Sequence, residues 1–232
     1  MQDSYVSNKI TRYASHAAHC PGKIGSVSAN VPVVFVVDDD ESVREALEAL
    51  IREAGWQPRT FAAAQEFLAC PRVRGPSCLI LDVSLPDVGG LELQELIAGE
   101  RTDMPIIFIT GYGDVPMSVR AMKAGAVEFL TKPFGPDVLL QAIRQAIERS
   151  RRTVDHEISL QSLRDVHGLL TPRERQVMAL VVTGLLNKQI AGNLGLSEIT
   201  VKAHRGQVMR KMKAKSLAEL VNMAARLGIT PE

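Results

Sequence analysis

Several features of membrane, secreted and zinc-binding proteins are missing from this chain of 232 residues. No stretch approaches about 18 consecutive apolar residues, so we expect no membrane span. Residues 1–31 lack the apolar run of a secretory signal, and we interpret them as a disordered extension or a start-site artefact without a function. Cys20, Cys70 and Cys78 have neither zinc-ligand spacing nor an even count. These absences favour a cytoplasmic, reducing location.

Charge is distributed unevenly along the chain. Residues 32–150 contain 11 Lys and Arg against 18 Asp and Glu, a net charge of −7, whereas residues 169–232 contain 10 against 4, a net charge of +6. Two segments of opposite charge predict two domains, and the basic one suits a polyanionic partner such as nucleic acid. Residues 151–168 join them, either as a separate linker or as a continuation of the preceding helix. The apolar stripe of that helix fits a dimer face as well as core packing.

Short apolar runs alternate with longer amphipathic stretches in the acidic segment. VVFVV (33–37), expected at the centre of the sheet, CLIL (78–81), PIIFIT (105–110) and VEFL (127–130) are typical of buried parallel strands, and QPRTF (57–61) of an edge strand. Five strand–helix units with right-handed crossovers predict a doubly wound α/β sheet. Ligands of such sheets bind at the carboxyl ends of the strands.

Polar side chains stand at those strand ends. Asp38 and Asp39 follow the first strand, Asp82 ends the third, Thr110 the fourth, and Lys132 follows the fifth. Clustered carboxylates repel one another unless a cation lies between them, and hard oxygen ligands suit Mg²⁺. Such a site can hold Mg²⁺ and an ammonium group around a phosphoryl group while one carboxylate attacks it.

Other acids of this segment have structural interpretations. Asp40 stands where a helix would begin, and we predict that it caps that helix. Asp87, Asp103 and Asp114 lie in loops and are interpreted as solvated or capping residues.

Four segments resemble the receiver domain of two-component response regulators in their order and spacing. They are VVDDD (36–40), LDVSLPDVGG (81–90), ITG (109–111) and FLTKPF (129–134), and the resemblance spans about 120 residues. The resemblance implies a CheY-like, flavodoxin-like fold with five parallel strands.

The resemblance also implies roles for the acidic residues. Asp82 is the phosphoacceptor, which attacks the phosphohistidine of a sensor histidine kinase. Asp39 and Asp82 bind Mg²⁺ directly, Asp38 binds it through water, and Ser84 contributes its backbone carbonyl.

By the same resemblance, Lys132 pairs with a phosphoryl oxygen, and the bond to Pro133 is commonly cis. The hydroxyl of Thr110 moves toward the phosphoryl group, and the ring of Phe129 turns inward with it. Many relatives have Tyr at the position of Phe129. Simple core packing remains the alternative for this residue.

The basic segment has the pattern of a helix-turn-helix. Thr171 starts a helix with Pro at its first position and Glu at its third, and NKQIAGNL (187–194) forms the next helix. A turn at Gly195 leads to a third helix, which Ser197 caps. That helix buries Val201, Val208 and Met212 and leaves Lys and Arg accessible, as a recognition helix in the DNA major groove would.

This segment resembles the LuxR-type DNA-binding domain, a bundle of four helices. The resemblance places Lys202, Ala203 and Gly206 near base edges and makes candidates for phosphate contacts of His204, Arg205, Gln207 and Arg210. Gly206 departs from the longer polar side chains that are frequent there. For His204, a packing role in the helix bundle is as good an interpretation.

The two resemblances together imply a response regulator transcription factor of the FixJ/NarL group. Phosphorylation of Asp82 would promote homodimerisation and binding to double-stranded DNA, with RNA polymerase as a further candidate partner.

The alternative is a Mg²⁺-dependent phosphatase or phosphotransferase with an aspartyl phosphate, but such phosphatases typically carry an acid at the position of Ser84. A flavodoxin-like nucleotide-binding protein would need a Gly-rich loop after strand one, where the chain reads DDDE. A last alternative is a DNA-binding protein that does not depend on phosphorylation. The intact set of Asp38, Asp39 and Asp82 argues against it.

Overall fold

The computed structural model describes residues 31–229. Of the segment interpreted as an extension, residues 1–31, only Val31 is among them. The chain divides into two compact units between Val154 and Asp155. Among the described residues, no helix has the length and apolarity needed to cross a membrane.

The first unit alternates strands and helices. Its strands are β1 (Val33–Val37), β2 (Gln57–Phe61), β3 (Ser77–Asp82), β4 (Ile106–Thr110) and β5 (Glu128–Thr131). The helices that follow them in turn are α1 (Glu41–Glu53), α2 (Ala64–Ala69), α3 (Gly90–Ile97), α4 (Val115–Lys123) and α5 (Pro136–Gly168). All strand pairs are parallel in the order β2-β1-β3-β4-β5, which confirms the predicted doubly wound sheet. We expected β1 at the centre of the sheet, but β3 occupies the middle position and β1 lies next to it.

Alternate residues of the strands build a core on each face of the sheet. Phe35 and Phe108 face the core that α2, α3 and α4 cover, while Val36 and Ile107 face the core that α1 and α5 cover. Both faces are apolar because helices cover both, so these strands are continuous apolar runs in the sequence.

Local signals place the first helix as predicted. The side chain of Asp40 caps α1 by accepting hydrogen bonds from the backbone N–H groups of Ser42 and Val43. Gly55 follows the helix with a φ of +88°, a backbone conformation that side chains disfavour. The sequence at both ends therefore fixes the length of α1.

Two of the three loop acids are caps, and the third is not. Asp114 caps α4, and Asp87 accepts hydrogen bonds from backbone N–H groups at the start of α2. The interpretation of Asp103 as a solvated or capping residue was wrong. Its side chain is buried and lies 2.8 Å from the Arg72 guanidinium. This ion pair, at the amino-terminal edge of the sheet, compensates the cost of burying the charge.

The helix α5 continues through the segment interpreted as a linker. It spans 33 residues without a break, so the continuous helix is the alternative that the structure adopts. Leu139, Ile143 and Ile147 pack against the sheet of the first unit, and Leu163 belongs to the core of the second. In the amino-terminal half of the helix, the apolar stripe is therefore core packing.

The second unit is a helical bundle. After the end of α5 it contains α6 (Pro172–Val182), α7 (Asn187–Leu194), α8 (Glu198–Met212) and α9 (Leu217–Arg226). Gly195, with a φ of +65°, makes the turn between α7 and α8, and Ser197 caps α8 by accepting from the N–H of Thr200. These elements confirm the predicted helix-turn-helix.

Glu174 joins the start of α6 to the end of α8. Its carboxylate accepts a hydrogen bond of 2.8 Å from the Thr171 N–H and lies 2.6 Å from the Lys211 ammonium. Thr171 in turn accepts from the Glu174 N–H, which completes the predicted capping box. The bond from Lys211 is the main reason that the pKa of Glu174 lies below its ordinary value.

Gly90 lies where helix α3 comes close to strand β3. A Cβ at this position would lie 2.4 Å from the carbonyl oxygen of Asp82 and 2.9 Å from the Cα of Val83, both of them backbone atoms. The Gly90 N–H also donates to the carbonyl of Val83 at 3.0 Å. The absence of a side chain therefore lets α3 support the end of β3.

We expect Gly90→Ala to lower the free energy of unfolding by about 1–3 kcal/mol, because backbone must shift to admit the methyl group. Urea denaturation of the full chain measures this. Gly89→Ala is the matched control, since a Cβ at Gly89 meets nothing within 4 Å. Equal stability of the two variants would show that the close approach is not a constraint.

We expect Glu174→Gln to lower the melting temperature at pH 7, since the variant loses the ion pair with Lys211. A carboxyl group with a depressed pKa stabilises the fold above its ordinary pKa and loses this contribution as the pH falls through the depressed pKa. The difference from wild type should therefore narrow as the pH is lowered toward 4 and below. Thermal melts across this range test it, with the exposed Glu198→Gln as control; a constant difference contradicts the assignment.

Candidate functional site

The ends of β1 and β3 bring two carboxylates to one ammonium group. The Nζ of Lys132, just after β5, lies 2.6 Å from Asp38 Oδ2 and 2.7 Å from Asp82 Oδ2. Asp38 is fully buried, and Asp82 is 5% exposed. The backbone N–H of Lys132 donates to the carbonyl of Thr110 at 2.7 Å, and the Lys132–Pro133 bond is cis. Parallel strands thus gather residues from distant positions at one edge.

Backbone donors hold the second oxygen of each carboxylate. Asp38 Oδ1 accepts a hydrogen bond of 3.0 Å from the Asp40 N–H, and Asp82 Oδ1 accepts one of 2.8 Å from the Ser84 N–H. Each carboxylate is therefore oriented by the chain on one side and faces Lys132 on the other.

The pKa values of Asp38 and Lys132 reflect both burial and their pairing. Burial is the main reason that the pKa of Asp38 is raised, and the bonds from Lys132 and the Asp40 N–H only partly oppose it. Burial also acts against the charge of Lys132, but the two carboxylates outweigh it and raise the pKa of Lys132. Stability from the lysine pairing is therefore present at neutral pH and is lost as the pH rises through the raised pKa.

The acidic residues can hold a divalent cation. One carboxylate oxygen from each of Asp38, Asp39 and Asp82 lies within 4.8 Å of the others. Mg²⁺ binds hard oxygen ligands at about 2.0–2.1 Å in an octahedron, so this separation and donor set fit it. Ser84 is adjacent through its N–H; the role predicted for its carbonyl stays a prediction.

The structure adds Arg44, which was not predicted, to the site. Its guanidinium, on α1, donates to the backbone carbonyls of Asp38 at 2.7 Å and Asp39 at 2.9 Å. These bonds hold the loop that presents both carboxylates. A basic residue in the first turns of a helix that follows an acidic loop is the signal that points to such a role.

The Thr110 hydroxyl is directed along its own loop in this structure. Its Oγ1 donates to the carbonyl of Tyr112 and accepts from the Tyr112 N–H, both at 3.2 Å. Phe129 lies on the neighbouring strand, half-buried against the core. A Cβ at Gly113 would come within 3.0 Å of the Phe129 ring and 3.3 Å of the Thr110 methyl, so this loop packs tightly over both residues.

The helix α8 presents one accessible stripe. Val201, Val208 and Met212 are buried, as predicted. The exposed positions of the helix are Glu198, Ile199, Lys202, Ala203, Gly206 and Arg210. Positions 198, 202, 206 and 210 recur every four residues, and Ile199 and Ala203 adjoin them, so all six lie on one side of the helix.

The remaining residues predicted for DNA contact lie beside this stripe. His204, Arg205 and Gln207 are half-buried. The Arg205 guanidinium donates to the side-chain oxygen of Asn187 at 3.2 Å, and Gln207 accepts from Arg210. Arg205 therefore links α8 to the start of α7. The DNA-contact roles of all seven residues stay predictions.

Comparison with known proteins agrees with this architecture. Residues 34–144 match the family described as response regulator receiver domain, and residues 168–224 match the family described as bacterial regulatory proteins, luxR family. A parallel α/β domain with an acidic site, followed by a LuxR-type helical domain, defines a transcription factor of two-component signalling.

Full-length relatives make the assignment specific. Nodulation protein W of Bradyrhizobium diazoefficiens is 50% identical over 198 residues, 85% of this chain and 87% of the relative. Transcriptional regulatory protein FixJ of Rhizobium meliloti is 44% identical over 202 residues, 85% of this chain and 97% of the relative. The solved structure of the response regulator StyR has 47% identity and a TM-score of 0.76 and covers 84% of this chain and 99% of that one. The chain belongs to the family of response regulators with a receiver domain and a LuxR-type DNA-binding domain.

We expect Mg²⁺ to raise the melting temperature of the full chain, because a ligand that binds only the folded state stabilises it. Asp39→Asn should reduce this increase while leaving the bonds of Lys132 intact. Thermal melts with and without MgCl₂ measure both effects. The exposed Asp137, in the first turn of α5, provides the control Asp137→Asn; a Mg²⁺ response that is equal in all three proteins contradicts the site.

Proposed function

We propose that Asp82 is the phosphoacceptor of this response regulator and that its phosphorylation controls DNA binding. One observation carries the proposal: the Asp82 carboxylate lies at the carboxyl end of β3, 2.7 Å from the Lys132 ammonium and within 4.8 Å of two further carboxylates. The chain's partners are then a sensor histidine kinase and double-stranded DNA, and its location is the cytoplasm, where both are accessible.

The proposed reaction transfers a phosphoryl group to Asp82. A carboxylate oxygen of Asp82 attacks the phosphorus of a phosphohistidine and the phosphorus–nitrogen bond breaks. The leaving nitrogen takes a proton from water, so the histidine leaves as neutral imidazole. Lys132 stabilises negative charge on the phosphoryl oxygens. Asp38, Asp39, Asp82 and the carbonyl of Ser84 would hold Mg²⁺, which supplies further neutralisation of this charge when bound.

The loop after β4 provides the proposed switch. The new phosphoryl oxygens compete with the backbone of Tyr112 for the Thr110 hydroxyl. The loop at Gly113 packs against both Thr110 and Phe129, and we propose that the ring of Phe129 shifts when Thr110 moves. The surface of α4, β5 and the start of α5 changes as a result, and phosphorylation biases an existing equilibrium toward a homodimer.

The second unit is proposed to read DNA with α8. Lys202, Ala203 and Gly206 lie on its exposed stripe and are assigned to base edges, and Arg210 on the same stripe to phosphate. His204, Arg205 and Gln207, at the flanks, are assigned to phosphate contacts or to orientation of the helix. A dimer would place two such helices on half-sites about one DNA turn apart, with RNA polymerase as a further candidate partner.

We expect the chain to catalyse only its own phosphorylation and the hydrolysis of its own aspartyl phosphate. Ser84 stands two residues after Asp82, where an aspartyl-phosphate phosphatase carries its general acid. Its N–H instead orients the Asp82 carboxylate. We therefore do not expect multiple-turnover hydrolysis of a small phosphate ester.

Acetyl phosphate with Mg²⁺ tests the proposal without the kinase. Wild type is expected to gain phosphate, to shift toward a dimer in sedimentation, and to bind at least tenfold more tightly to DNA sites selected from a random pool. Asp82→Asn should lose all three responses. The exposed Glu53→Gln, at the end of α1 and outside the proposed dimer surface, should retain them. A response of Asp82→Asn equal to that of wild type would refute the assignment.

A further inference from the structure

Ile199 is the large apolar side chain that α8 leaves in water. It is 82% exposed, in the first turn of the helix. Single exposed apolar side chains are ordinary on protein surfaces. This one, however, lies on the same stripe as Lys202, Ala203 and Gly206, the residues assigned to base edges. Residues at the amino-terminal end of a recognition helix are the ones that reach base edges in the major groove.

Two of the residues that share the stripe with Ile199 are small, although Lys202 and Arg210 on the same stripe are long. Ala203 lies one turn further along, and Gly206 follows it with open space where a Cβ would stand. Small side chains let the helix approach the floor of the groove closely, so a longer side chain on the same stripe projects into it.

The first turn holds Ile199 in place. Ser197 caps the helix by accepting from the Thr200 N–H at 3.1 Å, and the two hydroxyl oxygens are 2.8 Å apart. A β-branched side chain on a helix has one strongly preferred rotamer. The side chain therefore loses little freedom when it enters the groove.

We propose that Ile199 determines part of the DNA specificity by contacting the C5-methyl group of a thymine. In the major groove that methyl group is the apolar feature of an A·T pair, and apolar side chains are its natural contacts. Ile199 offers no hydrogen bond to a base, so it distinguishes thymine by this methyl group. The inference rests on the proposed function, because it requires α8 to enter the major groove.

Deoxyuridine, which lacks the methyl group, provides the probe. A DNA site is first selected from a random pool with the full chain after treatment with acetyl phosphate and Mg²⁺. Each thymine is then replaced singly by deoxyuridine, and dissociation constants are measured. For wild type, one thymine in each half-site should show a loss of about threefold to tenfold, from the removal of one buried methyl contact.

Ile199→Ala should abolish the difference between thymine and deoxyuridine at that position alone. Ile199→Val, which keeps the branched methyl groups, should retain most of it. Leu169→Ala removes a side chain that is also exposed, 69%, but lies outside α8, and should behave as wild type. Thermal melts verify that all variants fold.

Two failures are distinguishable. If wild type selects no DNA site, the proposed DNA-binding function fails, and this inference fails with it. If a site is selected but the effect of every thymine replacement is the same in wild type and Ile199→Ala, the function stands and the role of Ile199 is refuted.

Discussion

The ammonium group of Lys132 between the carboxylates of Asp38 and Asp82 is the interaction on which the first unit depends. Parallel strands bring acids from positions 38 and 82 to one edge, where their charges would repel each other in a buried setting. One cation contacts both, at 2.6 and 2.7 Å. Burial nevertheless raises the pKa of Asp38, because the buried carboxylate loses its hydration. The same arrangement therefore brings two buried carboxylates and one ammonium group to a single edge of the sheet.

Further contacts with the backbone hold the chain around the ion pairs of Lys132. Arg44 holds the loop carbonyls of Asp38 and Asp39, and Gly90 lets α3 lie against the end of β3. Gly113 packs over Thr110 and Phe129. These contacts fix the chain closely around the site and beside β5. In the second unit, the contacts of Glu174 with Lys211 play a comparable part by joining α6 to α8.

Much of the fold was predictable because its signals are local. Continuous apolar runs indicated buried strands, and Asp40, Thr171 and Ser197 marked the starts of helices. The errors concerned neighbours distant in sequence. The middle position of β3 depends on strand pairing. The burial of Asp103 depends on Arg72, 31 positions earlier, which compensates a charge that a loop acid would otherwise keep in water.

The sequence by itself determined the two units, the helix caps and the set of residues at the strand ends, because periodicity and capping act between near neighbours. Only the tertiary structure decided which groups meet. It joined Lys132 to both carboxylates, assigned Arg44 to the acidic loop and turned the Thr110 hydroxyl toward Tyr112. It also placed Ile199 on the exposed stripe of α8 and Arg205 beside that stripe, in contact with Asn187. Such pairings depend on strand order and helix packing, and these are settled by burial across the whole chain.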